Sequence, residues 1–222
     1  VEKDWKQHHG KQLSYNNYYD IETANSIVNE FDDISCVIIK HSNPCGFSLG
    51  KTLKQAYLSA VSTDPISYFG GIVAFNREVD LESALELNKS FLECIVAPSF
   101  SNEASEELKK KKNLRLITIS GSSKNKKIIR SVFNGFLIQD RDVMEENFNE
   151  FQVVSKIKPN NDQLKALHLS WNLVKYVKSN AIVFSDDNQL IGVGTGQMSR
   201  IDSVKIAIDK AKSNDLDLKN TV

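Results

Sequence analysis

The chain has little of what marks several common protein classes. Its three cysteines, Cys36, Cys45 and Cys94, are odd in number, widely spaced and never in a CxxC pair, so neither a disulfide framework nor a structural zinc is expected. The longest apolar runs, such as Cys36 to Ile39 and Ile72 to Phe75, fall far short of the roughly 20 residues a membrane-spanning helix needs, and Val1 to Trp5 has none of the character of a signal peptide. An excess of one charge is also missing: 28 Lys and Arg oppose 28 Asp and Glu for a net charge of +0, which leaves no global field to recruit nucleic acid or an anionic membrane. These absences lead us to expect a soluble, cytoplasmic protein with reduced thiols, in which any phosphate site is local. There is no internal repeat and no low-complexity tract.

What is present is enough apolar material for a core: 41% of 222 residues are hydrophobic and 25% charged, which suits one large domain or two small ones. Ile21, Ala24, Ile27, Val28 and Phe31 recur at helical spacing, with Asp20 placed to cap the first turn. Cys36 to Ile39 reads as a buried strand that ends at Lys40-His41 and meets the turn Asn43-Pro44-Cys45-Gly46, where Pro and Gly oppose further strand. Leu53, Ala56, Tyr57, Ala60 and Val61 form a second helical face, followed by the breaker Asp64-Pro65 and the run Ile72 to Phe75. Leu81 to Asn88, Ile95 to Ala97, Ala104 to Lys111 and Leu114 to Ile117 continue the alternation. Helices alternating with unbroken apolar strands predict an α/β fold with a mainly parallel sheet covered on both faces.

Ser120 to Lys127 is rich in Gly, Ser, Lys and Asn and reads as a surface linker. Beyond it, Asn160 or Asn161 can cap a long helix with the stripe Leu164, Leu167, Trp171, Val174 and Val177. A hairpin-like pair, Ala181 to Phe184 and Leu190 to Val193, precedes a helix over Ser199 to Lys212 with Ile201, Val204, Ile208 and Ala211 on one face. We expect three parts: a first subdomain over 1–119, a connecting segment over 120–150, and a second subdomain beginning at 151.

Several residues could carry chemistry. His exchanges a proton near neutral pH and Lys can hold an oxyanion, so Lys40-His41 suits acyl or formyl transfer. Cys45 is a conceivable nucleophile near His41, although a buried small thiol in a turn explains it more simply. Ser48 stands where the zinc deaminases need a second cysteine, so that metal site is not expected. Gly194-Thr195-Gly196-Gln197-Met198-Ser199 approximates a dinucleotide fingerprint but has Ser for the third Gly; a local phosphate or carboxamide contact aided by Arg200 fits it better.

Taken in order, these segments resemble the AICAR transformylase/IMP cyclohydrolase family. Residues 10–17 resemble its HGKELSYNN block, 39–46 its KHxNPCG, 64–71 its DPxSAFGG, 91–98 its FxExxxAP, 178–182 its KSNAI and 194–200 its GxGQMSR. The blocks span most of residues 5–212.

The resemblance implies a duplicated, three-layer α/β/α cytidine-deaminase-like fold with the second copy incomplete, and a homodimer with its active sites at the interface. It implies formyl transfer from 10-formyltetrahydrofolate to the amine of 5-aminoimidazole-4-carboxamide ribonucleotide. By motif, His41 is the proton acceptor, Lys40 its oxyanion partner, and Asn180 the group that holds the carboxamide and orients His41. Asn17, Phe69, Gly70, Glu93 and Arg200 line the nucleotide pocket, Glu93 standing where some relatives use Asp. No metal is implied beyond room for a monovalent cation. The chain has no initiating Met, and the cyclohydrolase half and the blocks RYGxNPHQ, SDAFFPF and GxRHFxH are not in it. A partial transformylase is therefore expected, with a catalytically inactive nucleotide-binding or dimerisation module as the alternative.

Overall fold

The structure, a computed structural model, describes residues 4–121, 127–144 and 146–222. Contacts group the chain into two compact units, Val1–Gly121 with Pro159–Val222, and Ser122–Lys158. The first unit begins β1 (Trp5–His9), α1 (Tyr15–Val28), β2 (Ser35–Lys40), β3 (Asn43–Leu49), α2 (Leu53–Thr63), β4 (Ile72–Phe75), α3 (Leu81–Leu87), β5 (Cys94–Ala97), α4 (Asn102–Lys109) and β6 (Arg115–Ile119). The second unit holds β7 (Lys127–Val132) and β8 (Gly135–Asp140). The chain then returns to the first unit with α5 (Asn161–Val174), β9 (Ile182–Ser185), β10 (Leu190–Gly194) and α6 (Arg200–Ser213).

The fold is α/β, but its sheet is mixed where a mainly parallel one was expected. Six strands lie in the order β1-β6-β5-β4-β2-β3. Only β4–β5 and β5–β6 are parallel, and the other three pairings are antiparallel. The reversal comes from residues 43–49. They turn back as a strand because Pro44 sits on the sheet's edge, beside a register shift at Ile38/Ile39, where a missing N–H is tolerated. The turn itself is only His41-Ser42.

The strands are apolar throughout because both faces are covered. Cys36, Ile38, Val73, Phe75, Ile95, Ala97 and Leu116 pack with α2, α3 and α4. Their neighbours Val37, Ile39, Ile72, Ala74, Cys94, Val96 and Ile117 pack with α1 and α5. The period-2 alternation of side chains thus splits each short strand between two cores.

Three helix readings need correction. Ser14, not Asp20, caps α1: its hydroxyl accepts the Asn17 N–H at 3.2 Å while Asn17 Oδ1 accepts the Ser14 N–H at 3.0 Å, a reciprocal box that starts the helix earlier. Asp20 lies inside the helix and is buried. In α5, capped by Asn160, the buried residues are Ala166, Leu169 and Leu173, whereas Leu164, Leu167 and Trp171 are 38%, 44% and 51% exposed. The buried face was disguised by Ser170, whose hydroxyl is paired with that of Ser185 at 2.7 Å. In α6 the buried residues are Ser203, Ala207 and Ala211, and Ile201 is exposed. Only small residues fit there, because a Cβ on Gly192 or Gly194 of β10 would lie 2.5 Å from the Ala207 carbonyl oxygen or 1.9 Å from that of Ser203.

The hairpin expected near 181–193 forms as β9–β10. It joins the edge of β3 through a Ser48–Gln189 bridge and a Leu49 N–H to Asn188 carbonyl bond of 2.8 Å.

In the second unit, β7 and β8 pair from Lys127–Asp140 to Val132–Gly135, with Ile129, Phe136, Leu137 and Ile138 all largely exposed. The linker expected over Ser120 to Lys127 lies mostly outside the described residues. No helix among the described residues is long and apolar enough to cross a membrane.

Candidate active site

Because β2 runs against β4, its carboxyl end meets the amino ends of β4, β5 and β6. Of the residues named from motifs, Lys40, His41, Phe69, Gly70 and Glu93 lie along this one edge of the sheet. In open parallel sheets the ligand crevice lies at the carboxyl ends; here the reversal of β2 moves the candidate site to the opposite edge of the parallel strands.

The centre of the edge is the β2–β3 turn. Lys40 pairs with Asn43, leaving a two-residue loop in which His41 (φ 54°) and Ser42 (φ 60°) are both left-handed. Two consecutive non-glycine residues there cost about 1–2 kcal/mol each. Hydrogen bonds from outside the turn offset this. Buried Asp20 accepts the Ser42 hydroxyl at 2.8 Å, and the His41 carbonyl accepts Asn43 Nδ2 at 3.0 Å and Lys178 Nζ at 3.1 Å. The result is a fixed backbone that leaves the His41 residue exposed. Lys40 Nζ donates to the Phe69 carbonyl at 2.8 Å, and among the described residues this is its one hydrogen bond.

Phe69 and Gly70 are presented by a loop anchored at Asp64. Its Oδ1 accepts the N–H groups of Ser67 at 2.8 Å and Ile66 at 3.3 Å, and the Lys210 ammonium donates to Oδ2. Burial alone would raise this carboxyl; the bonds from Lys210 and Ser67 outweigh it and hold the pKa below its ordinary value of 3.8. Gly70, at φ 72°, donates to the Phe91 carbonyl at 2.8 Å. The rings of Phe69 and Phe91 lie 5.4 Å apart, and both are about half exposed.

Glu93 is reached through Gly71, whose carbonyl accepts its N–H at 3.0 Å. Its carboxylate forms a 2.5 Å ion pair with Arg115, and Arg115 also donates to the Gln12 carbonyl. That pairing engages one carboxylate oxygen of Glu93. Asn17 stands at the start of α1 with its Oδ1 engaged in the capping box, and its amide NH2 has no partner among the described residues.

On the other flank, Asn180 is drawn into the site by the loop after β10. Its backbone N–H and Nδ2 both donate to the Gln197 carbonyl, at 3.0 and 2.8 Å, Nδ2 also reaches the Met198 carbonyl at 2.9 Å, and its own carbonyl accepts the Ser203 hydroxyl at 2.8 Å. Its Oδ1, an acceptor, has no hydrogen-bond partner among the described residues. Arg200 is exposed at the first turn of α6, one turn before Ser203. No hydrogen bond joins the His41 ring to Asn180 among the described residues; the two are linked through Lys178 and Asn43.

Two further features of the sequence can be placed. In the Gly194–Ser199 loop, Gly196 donates its N–H to the Lys178 carbonyl at 2.8 Å, whereas Ser199 makes no side-chain cap bond and so leaves the first N–H groups of α6 without one. Cys45 is no nucleophile: burial, aided by the negative charge of Asp64, raises its thiol to about 12, and Sγ faces the Ile38 carbonyl at 3.5 Å. Among the described residues no group of three His, Cys, Asp or Glu side chains could hold a metal ion. Sequence reasoning missed Asp20, Ser42, Lys178, Thr195 and Arg115, which act through bonds between segments far apart in the chain, as well as Asn43. Asn43 lay within a motif already singled out, but was read only as part of a turn.

Helices on both faces of a mixed sheet, with basic, aromatic and amide side chains at one end of its strands, define an α/β protein. Residues 1–210 match the AICARFT/IMPCHase bienzyme family. The chain is 48% identical over 210 residues to the bifunctional purine biosynthesis protein PurH of Enterococcus faecalis, covering 94% of this chain and 41% of that protein. It is 49% identical over 208 residues to PurH of Halalkalibacterium halodurans (93% and 41%), and 45% identical over 217 residues to PurH of Persephonella marina (96% and 42%). The chain belongs to the AICARFT/IMPCHase bienzyme family and spans about 41% of the length of these relatives. A solved structure of Acinetobacter baumannii RibD overlaps 45% of this chain and 33% of its own at a TM-score of 0.31 and 16% identity, too distant to bear on the fold.

Proposed function

We propose that this chain carries the amine-activating part of a formyltransferase of purine biosynthesis, which moves the formyl group of 10-formyltetrahydrofolate to the amine of 5-aminoimidazole-4-carboxamide ribonucleotide. That amine is a poor nucleophile because its lone pair is delocalised into the ring and the carboxamide. Attack on the formyl carbon therefore needs a base for the N–H and a positive or hydrogen-bonding partner for the developing oxyanion.

His41 takes the proton and an N–H of Lys40 faces the oxyanion; as the adduct collapses, the bond between the formyl carbon and N10 of the folate breaks, and the proton on His41 passes to N10 so that tetrahydrofolate leaves. The free Oδ1 of Asn180 accepts from the substrate carboxamide. Phe69, backed by Phe91, offers an aromatic wall to the base, and Gly70 lets the backbone approach it. Glu93, Asn17 and Arg200 contact the ribonucleotide. The limits 1–119 and 151–222 are proposed as two copies of one ancestral layer, the second incomplete. A homodimer and a cytoplasmic location complete the reading.

The observation that carries the proposal is the gathering of Lys40, His41, Phe69, Gly70 and Glu93 on one sheet edge, tied through Lys178 to Asn180, in a chain of this family. A formyl-transfer assay on this chain with its natural flanking sequence tests it. We expect turnover, with His41→Ala and Lys40→Met each lowering kcat by roughly 10²–10⁴-fold while ribonucleotide affinity changes little. Equal losses in kcat and affinity would mean a binding role only, and no turnover by the wild-type protein would refute the assignment.

A further inference from the structure

We propose that Asn43 is a positioning residue, the joint that holds the turn bearing His41 against the segment bearing Asn180. The inference rests on the formyltransferase reading for its catalytic consequence, but its geometry stands apart from it.

Asn43 is the first residue of β3, partly buried, and its amide is bonded on both sides. Nδ2 donates to the His41 carbonyl at 3.0 Å. Oδ1 accepts the Lys178 backbone N–H at 3.1 Å and the Thr195 hydroxyl at 2.7 Å. An amide oxygen has two lone pairs, and both are filled. The orientation of the amide is set by its neighbours, since a flipped group would turn NH2 toward the Lys178 N–H and an oxygen toward the His41 carbonyl.

A local turn needs only the first of these bonds. The other two reach 135 and 152 residues along the chain and give the β2–β3 turn no local benefit. What they fix is the relation between two groups that do not touch. His41 lies two residues before the joint, and Asn180 two residues after one of its partners. Thr195 reinforces the second flank, its hydroxyl lying 3.2 Å from the Lys178 carbonyl, which also accepts the Gly196 N–H. The Lys178 ammonium returns to the His41 carbonyl and closes the circuit. A shift of about 1 Å between reacting groups costs roughly 10²-fold in rate, so a joint of this kind acts mainly on kcat: of the groups assigned to the ribonucleotide it holds only Asn180, and Glu93 and Asn17 lie outside it.

The test uses Asn43→Ala, Thr195→Val, Thr195→Ser and the double variant Asn43→Ala/Thr195→Val in the chain with its natural flanks. Three quantities are read: kcat for formyl transfer, calorimetric affinity for 5-aminoimidazole-4-carboxamide ribonucleotide, and the NMR amide signals of Lys178 and Asn180. Asn43→Ala should lower kcat about 100-fold, with affinity within about threefold. Thr195→Val should lower kcat roughly tenfold, and Thr195→Ser, which keeps the hydroxyl, should restore it. The double variant should be no worse than Asn43→Ala, because both remove one joint.

Fully additive losses, or unchanged kcat in Asn43→Ala and Thr195→Val in an active protein, overturn the joint and leave the formyltransferase reading intact. If the wild type transfers no formyl group, that reading fails. The joint is then judged by the amide signals: displaced in Thr195→Val and restored in Thr195→Ser they support it, unmoved they overturn it. Should Asn43→Ala fail to fold, the two Thr195 variants decide.

Discussion

The chain builds two hairpins of nearly equal length and gives them opposite surroundings. β2–β3 and β7–β8 each join six or seven residues to a partner through a two-residue loop, and each loop opens with a left-handed non-glycine residue, His41 and Phe133. In the first, the strands lie between two cores, and bonds from Asp20, Asn43 and Lys178 hold the loop. In the second, every residue of β8 is exposed and Phe133 is fully so. Loop geometry is therefore no guide to which hairpin carries chemistry. The difference lies in what reaches the loop from elsewhere in the chain.

The largest effect that sharpens this contrast comes from adding one methyl group to each hairpin. A Cβ on Gly46 of β3 would sit 2.0 Å from the Ala60 carbonyl oxygen, whereas on Gly135 of β8 the nearest atom is 4.0 Å away. Gly46→Ala should destabilise by about 3 kcal/mol or more, through forced separation of α2 from β3. Gly135→Ala should stay within about 0.5 kcal/mol. Urea midpoints measure both, and a tolerant Gly46 would erase the distinction.

Asp20→Ala should come next. It leaves the Ser42 hydroxyl without its buried partner, at a cost of about 1–3 kcal/mol, while kcat falls with it because the left-handed turn loses its tether. Asp64 offers a pH-dependent counterpart. Its pKa is lower folded than unfolded, so its stabilising contribution is fully present above the unfolded value and is lost as pH falls through the folded one. Asp64→Asn should remove part of the stability loss seen as the pH falls below the ordinary carboxyl value of 3.8, and identical acid profiles for the two proteins would contradict that. The smallest effect is expected at the second hairpin: Phe136→Ser should leave the urea midpoint within about 0.5 kcal/mol, because Phe136 is already 72% exposed.

Much of this was legible in the sequence wherever apolar residues are continuous. The runs at Cys36, Ile72, Ile95 and Leu116 are strands because both faces of the sheet are covered, and the cap at Asn160 sits where its side chain accepts an N–H three residues on. The errors have physical causes. Pro44 reads as a breaker until its edge position is known. The buried faces of α5 and α6 carry serine and alanine, which no hydrophobicity pattern selects, because their packing relies on glycines in β10 and on paired hydroxyls. In the candidate site, the local blocks displayed Lys40, His41 and Asn180. The bonds that bring those blocks together span more than a hundred residues and leave no periodic trace.

Glycines 192 and 194 have one further consequence. Where α6 rests on β10, main chain meets main chain, so the separation is set by atoms common to every amino acid and not by the volumes of side chains. Substitutions accumulating elsewhere on α6 have no leverage on that spacing. The position of the α6 backbone, which begins at Arg200, is thereby insulated from most drift in its own side chains, and a single methyl group on either glycine is enough to end that insulation.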